Sequence, residues 1–341
     1  MKYKQLGTSG VLVSDLCLGT MIFGENNSRG TAEKDAIKII HRYLDAGGNH
    51  IDTANVYAGG SSEEIVGKAI KNHRHKVFLA TKVRFSMGDE LNDQGLSRYH
   101  IMTQVESSLK RLQTDTIDLY YMHCWDSLSP LEESLRAFDD LVKAGKVRYI
   151  GVSNFKAWQL MKALATSDTN GLARFIAGQY QYSLVKRDIE YEFIDLCTTE
   201  GIGVVPWGPL GGGFLSGKYQ PGKKPQEAAA GRLAVMAEDT EEYWERRNTQ
   251  RNWKIIEAVG SIAQEREASP AQISLAWLRA KPFVSSIVIG ARTMQQLEDN
   301  LKSSEIDLSP QEIEILDQAS KMPELYPYRF IENYGKRKLS L

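Results

Sequence analysis

Eight short apolar runs recur along the chain, at 15–20, 50–53, 77–82, 117–123, 147–153, 175–180, 201–207 and 284–290. Amphipathic segments with helical spacing separate them. Apolar runs of this length, rich in β-branched residues, read as strands buried on both faces. Strands alternating with helices are joined in parallel by crossovers, and eight such units favour a closed (β/α)8 TIM barrel, an α/β fold, over an open doubly wound sheet. The open alternative also lacks its phosphate-binding turn. The nearest approach to Gly-x-Gly-x-x-Gly is Gly211-Gly212-Gly213, with Ser216 where the last glycine belongs.

Helices are expected at 31–46, capped by Thr31 with Ala36, Ile37, Ile40, Tyr43 and Leu44 on one stripe, and at 62–71, 99–112, 131–144, 157–165 and 189–200. The seventh unit is interrupted. From 208 to about 240 the chain is rich in Gly, Pro, Lys and Ala with little periodicity, which in a compact domain suggests a loop with a task, here a mobile cover. Periodicity resumes at 253–266 and 270–280, the latter with Pro270 in its first turn, and helices at 294–301 and 309–321 follow the last strand. The expected organisation is a single domain over 1–341, with a short polar opening and a C-terminal tail from about 320.

Forty-two Lys and Arg against forty-three Asp and Glu give a net charge of −1, which argues against a general nucleic-acid or anionic-membrane surface but allows a local cationic pocket. Cys17, Cys124 and Cys197 are few and widely spaced, so they form neither a disulfide framework nor a zinc ligand set. Met1 to Gly7 lacks the apolar core of a signal peptide, and no apolar run approaches the roughly 18 residues needed to span a bilayer. A cytoplasmic, soluble protein is expected.

In a parallel barrel all strands finish at one rim, so polar residues at the ends of the runs converge however far apart they lie in sequence. Asp52, Lys82 and His123 end or nearly end three consecutive runs, and Tyr57 lies in the loop after the second. Any one of them reads first as a turn or packing residue. Their joint occurrence points to a site. A metal-dependent hydrolase is a rival, but the six histidines form neither His-x-His at a strand end nor His-Glu-x-x-His. Acyl transfer is no better supported, because Gly151-Val152-Ser153-Asn154-Phe155 lacks the final glycine of a nucleophile elbow.

These residues resemble the tetrad of the aldo-keto reductase family, in order and in context. The resemblance covers nearly the whole chain. It includes Leu18-Gly19-Thr20-Met21, Asp52-Thr53-Ala54-Asn55-Val56-Tyr57, Gly151 to Phe155, Gln179-Tyr180, Pro209-Leu210 with Gly217-Lys218-Tyr219, and Gly290-Ala291-Arg292. It implies an NADPH-binding barrel that reduces a small carbonyl compound. Carbonyl reduction builds negative charge on oxygen, so a proton donor must stand there. Tyr57 would donate, Lys82 would ease its proton release, Asp52 would anchor Lys82, and His123 would orient the substrate oxygen.

The resemblance also implies the cofactor contacts. Trp207 would be the aromatic plate beside the nicotinamide, and Ser153, Asn154 and Gln179 would bind its carboxamide. Gly19, Thr20, Met21, Asp52, Gly208, Pro209, Leu210, Gly212 and Gly290 fall on cofactor-contact positions. Arg292 would contact the 2′-phosphate, favouring NADP(H), with Gln296, Asp299 and Asn300 around the adenosine, while Lys218 and Arg232 would clamp the phosphates from the loop. Trp207-Gly208-Pro209-Leu210 is closest to the branch that contains the potassium-channel β subunits and bacterial and fungal reductases. That branch makes a cofactor-binding regulator with little turnover the alternative. Met21, Phe23, Phe85, Trp125 and Tyr326 or Tyr328 are candidate substrate-wall residues and suggest a partly apolar carbonyl compound. No apolar stripe on the outer helices separates from the core, so the sequence leaves the oligomeric state open.

Overall fold

The computed structural model describes residues 1–24, 30–226 and 231–335. Residues 227–230 of the long loop and 336–341 of the tail lie outside the described residues. The chain opens with an antiparallel hairpin, β1 (Tyr3–Gln5) and β2 (Leu12–Ser14), where the sequence suggested only a polar opening. Three residues per strand are too few for a period-two pattern to stand out.

Eight parallel strands follow: β3 (Leu16–Gly19), β4 (His50–Asp52), β5 (Phe78–Val83), β6 (Ile117–Met122), β7 (Val147–Ser153), β8 (Phe175–Gln179), β9 (Gly203–Val204) and β10 (Ile287–Ile289). Neighbours pair in chain order from β3 to β9, and β10 returns to pair with β3. The ring closes where β9 and the residues just after it meet β10 and the residues just before it: Ser285 N donates to Val204 O and Val288 N to Pro206 O, both at 2.9 Å. This is the (β/α)8 barrel that the alternation implied.

Strand β6, apolar apart from an Asp118 paired with Arg74, shows why both faces need apolar side chains. Leu119 and Tyr121 point inward and pack with Ala80, Ala177 and Val205, while Tyr120 and Met122 join the core beneath the helices. Gly151 on β7 makes room for Tyr121, since a Cβ there would lie 2.5 Å from the ring. Leu6 and Val13 from the hairpin are buried in the same interior cluster, so the hairpin plugs one end of the barrel. The other end, where the strands finish, is left for the site.

The surrounding helices are α1 (Glu33–Asp45), α2 (Ser61–Ile70), α3 (Arg98–Leu112), α4 (Leu131–Lys143), α5 (Ala157–Asn170), α6 (Phe193–Thr199), α7 (Trp244–Arg247), α8 (Gln250–Glu265), α9 (Pro270–Ala280), α10 (Met294–Lys302), α11 (Pro310–Ala319) and α12 (Tyr328–Tyr334). Several boundaries differ from the sequence reading. Thr31 does not cap α1: its hydroxyl donates to Arg292 O at 3.4 Å, and Ala32 takes the cap position. The segment at 189–200 is a single-turn 3-10 piece, Asp188–Tyr191, followed by the shorter α6. Helix α8 starts earlier than expected because Thr249 caps it by accepting from Asn252 N. Pro270 occupies the first turn of α9, behind a capping box between Ser269 and Gln272. The short α7 and α12 were not anticipated. No described helix is long and apolar enough to cross a membrane.

Candidate active site

Asp52 is the last residue of β4, Lys82 the penultimate residue of β5, and His123 directly follows β6. Tyr57 begins a 3-10 turn just beyond β4, and that turn continues through left-handed Ala58, Gly59 and Gly60 into α2. Parallel pairing of β4 with β5 and of β5 with β6 brings these ends together. Lys82 and Asp52 are 0% and 2% exposed and form a direct ion pair. The Lys82 ammonium also donates to Thr53 O at 2.8 Å and to the Tyr57 hydroxyl at 3.3 Å. All three of its N–H bonds are thereby used, which lets a buried cation persist.

The other Asp52 oxygen accepts from Gln179 Nε2 at 2.9 Å. Ser153 Oγ donates to Gln179 O at 2.7 Å, and Asn154 Nδ2 donates to His123 O at 2.9 Å. The His123 ring stands edge-on to Tyr57 and to Phe85, with centroids 5.8 and 4.8 Å away. Burial, with Lys82 and Arg84 nearby, holds its imidazole well below the usual histidine range, so the ring is neutral. Its Nδ1 is buried with no hydrogen-bond partner among the described residues, leaving Nε2 for a ligand.

Opposing effects meet at the Tyr57 phenol. Lys82 does favour the Tyr57 phenolate, as does Arg232, but burial outweighs them and Asp52 adds to it, so the phenol sits above its ordinary value. Burial also works against the Lys82 ammonium. There Asp52 and Tyr57 prevail, and the lysine is held above its ordinary value. At neutral pH the pair is an ammonium beside a protonated phenol.

Tyr57 and His123 open into a cleft of about 550 Å³, with Lys82 buried beneath. Every residue singled out from the sequence as a cofactor contact lines this cleft, from Gly19, Thr20 and Met21 at one side to Arg292, Gln296, Asp299 and Asn300 at the other. Trp207 is half-buried in the wall, and its Nε1 has no partner among the described residues. Gly212 has φ +71°, and a Cβ on it would meet Leu233 at 2.9 Å, so the backbone is bare at that bend. The half-buried Arg292 guanidinium has no hydrogen-bond or ion-pair partner among the described residues. Arg232 in the loop lies 2.7 Å from Glu242 Oε2. An aromatic plate, amide side chains and cations, Arg292 among them, suit a phosphate-bearing aromatic ligand such as a dinucleotide.

Several side chains at the α10 end are already engaged. Gln296 accepts from Arg292 N at 2.8 Å, Asn300 donates to Gly290 O at 3.2 Å, and Asp299 accepts from Gln272 at 2.7 Å and Ser269 at 2.9 Å. Of the candidate wall residues, Met21 and Phe85 line the cleft. Phe23 is fully buried in the core, Trp125 packs on Phe155 and Trp158, and Tyr328 stacks on Tyr191 while Tyr326 is exposed. The sequence reading missed Glu242, 2% exposed, whose Oε1 would be 3.0 Å from a Cβ on Gly208. An acidic residue in an aperiodic loop carries no signal of burial.

Barrel and mouth together define a class: a (β/α)8 barrel with an Asp-Lys-Tyr-His cluster where its strands finish. Residues 15–321 match the family model described as the Aldo/keto reductase family, and the chain belongs to that family. Members act on small carbonyl compounds with a nicotinamide cofactor, and the relatives here include reductases. The chain is 38% identical to an oxidoreductase, YrpG, of Bacillus subtilis (strain 168), over 96% of this chain and 100% of the relative. It is 32% identical to versiconal hemiacetal acetate reductase of Aspergillus parasiticus, over 96% of this chain and 99% of the relative. It is also 35% identical to a probable voltage-gated potassium channel subunit beta of Arabidopsis thaliana, over 96% of this chain and 100% of the relative.

Proposed function

We propose that this protein is an NADP(H)-dependent reductase of aldehydes or ketones in which Tyr57 supplies the proton. The observation that carries the reading is the buried run from Asp52 through Lys82 to the Tyr57 hydroxyl, which ends in the cleft lined by Trp207 and Arg292. A bound reduced nicotinamide supplies the hydride. Trp207 packs against its ring, and Ser153, Asn154 and Gln179 hold its carboxamide. Arg292, with no partner among the described residues, reads the 2′-phosphate, which favours NADP(H) over NAD(H). Lys218 and Arg232 hold the remaining phosphates from the loop.

The carbonyl oxygen sits between Tyr57 and neutral His123. The imidazole donates a hydrogen bond that orients the oxygen, and the phenol gives up its proton as negative charge builds there. Lys82 steadies the phenolate left behind, and Asp52 keeps Lys82 charged. Met21 and Phe85 give the substrate a partly apolar wall.

The likeness to a potassium-channel β subunit favours a second reading, a cofactor-binding regulator that turns over negligibly. Single-turnover oxidation of bound NADPH by a reactive aldehyde such as 4-nitrobenzaldehyde separates the two. Loss of reduced-nicotinamide absorbance supports the reductase. Bound cofactor with no such loss leaves the regulator. A panel of aldehydes, ketones and sugars then narrows the substrate.

A further inference from the structure

The seat proposed for the nicotinamide and the proton donor share one run of hydrogen bonds. A carboxylate paired with an ammonium offers acceptors only. Asp52 gives Oδ1 to the Lys82 ammonium and Oδ2 to the Gln179 amide at 2.9 Å. The orientation of that amide is therefore fixed by chemistry: Nε2 faces Asp52, and Oε1 remains as an acceptor beside the cleft that Gln179 lines. The Gln179 backbone is pinned as well, because Ser153 Oγ donates to its carbonyl at 2.7 Å. Lys82 completes the run by donating to Tyr57 at 3.3 Å. Every link except Tyr57 rests on strand backbone, where positions are set by the barrel.

We infer that Gln179 is a positioning residue for the proton donor: by holding Asp52 Oδ2, the same amide that receives the carboxamide also sets how strongly Tyr57 keeps its proton. This rests on the reading of the cleft as a nicotinamide site. Asp52 acts on Tyr57, and its negative field opposes phenolate formation. The Gln179 N–H offsets part of that charge across a buried, low-dielectric gap. Without it the full field falls on the phenol, which then holds its proton more tightly. Lys82 beneath, Arg232 from the loop and the neutral His123 ring also face Tyr57, and the Gln179 variants change none of these three side chains.

The test reads Tyr57 directly. Tyrosine labelled with carbon-13 at the phenolic carbon reports ionisation by NMR in the cofactor-free protein, and the Tyr57 resonance is the one lost in Tyr57→Phe. In Gln179→Leu the Tyr57 midpoint is expected to rise by about one pH unit, a tenfold loss of phenolate at fixed pH. Arg292→Ala is the control: it weakens NADPH binding and leaves the Tyr57 midpoint where it was. Gln179→Asn, whose shorter amide falls short of Asp52, moves the midpoint in the same direction and serves if the leucine variant does not fold. An unmoved midpoint in both Gln179 variants overturns the inference. The reductase reading fails separately, through a wild-type protein that neither binds nor oxidises NADPH, because the NMR titration needs no turnover.

Discussion

Removal of the Tyr57 hydroxyl is the perturbation that isolates the proton donor most cleanly. Tyr57→Phe deletes one oxygen from a half-buried ring and keeps its edge-on contact with His123 at 5.8 Å between centroids. Lys82 loses the acceptor at 3.3 Å but retains Asp52 and the Thr53 carbonyl at 2.8 Å, so no buried charge is left unpaired. The stability change is therefore expected to stay within about 1 kcal/mol. Burial holds the phenol above its ordinary value, so at neutral pH nearly every molecule carries the proton that the variant lacks. Loss of a positioned general acid lowers the rate by roughly 10²–10⁴-fold, which is about 3–5 kcal/mol of barrier at 1.36 kcal/mol per tenfold. Single-turnover NADPH oxidation with 4-nitrobenzaldehyde measures the rate, and fluorescence titration measures cofactor affinity, which should be unchanged. Retention of more than about a tenth of the wild-type rate at full cofactor occupancy would refute Tyr57 as the donor.

Lys82→Met strands the Asp52 carboxylate in the barrel and is expected to cost roughly 3–5 kcal/mol in denaturant unfolding. A loss below about 1 kcal/mol would mean that the pair is far better solvated than its burial implies. Arg292→Ala should weaken NADPH by roughly 1.5–3 kcal/mol, the worth of a hydrogen bond to a charged group, and NADH much less; equal losses for both would rule out recognition of the 2′-phosphate. Stability should also fall in acid. Burial holds His50 down at about 3, whereas an unfolded histidine titrates near ~6.5. Below about pH 6.5 the unfolded chain thus binds a proton that the folded chain refuses, and stability drops toward pH 3 by up to about 1.4 kcal/mol per pH unit. His123 acts in the same direction. Urea midpoints measured across this window should fall less steeply in His50→Asn, and an identical slope in the variant would rule out His50 as a source.

The sequence by itself determined the barrel and the set of side chains that gather at its mouth. Strands buried on both faces are apolar along most of their length, as β6 is apart from the paired Asp118, and parallel pairing sends every strand end to one rim whatever the chain distance. Asp52, Lys82 and His123 were legible for that reason. Tertiary structure alone decided what those groups do to one another. The bond from Gln179 to Asp52 spans 127 residues and depends on two strands facing each other across the barrel, which no local pattern encodes. The net direction at Tyr57 depends on how deeply the phenol is buried, since a neighbouring lysine and a low-dielectric wall push it opposite ways. The plug formed by β1 and β2, the burial of Glu242 against Gly208 and the true cap of α1 likewise follow from close approach in space. Periodicity reports which face of an element is apolar, but the strength of a charge is set by what surrounds it in three dimensions.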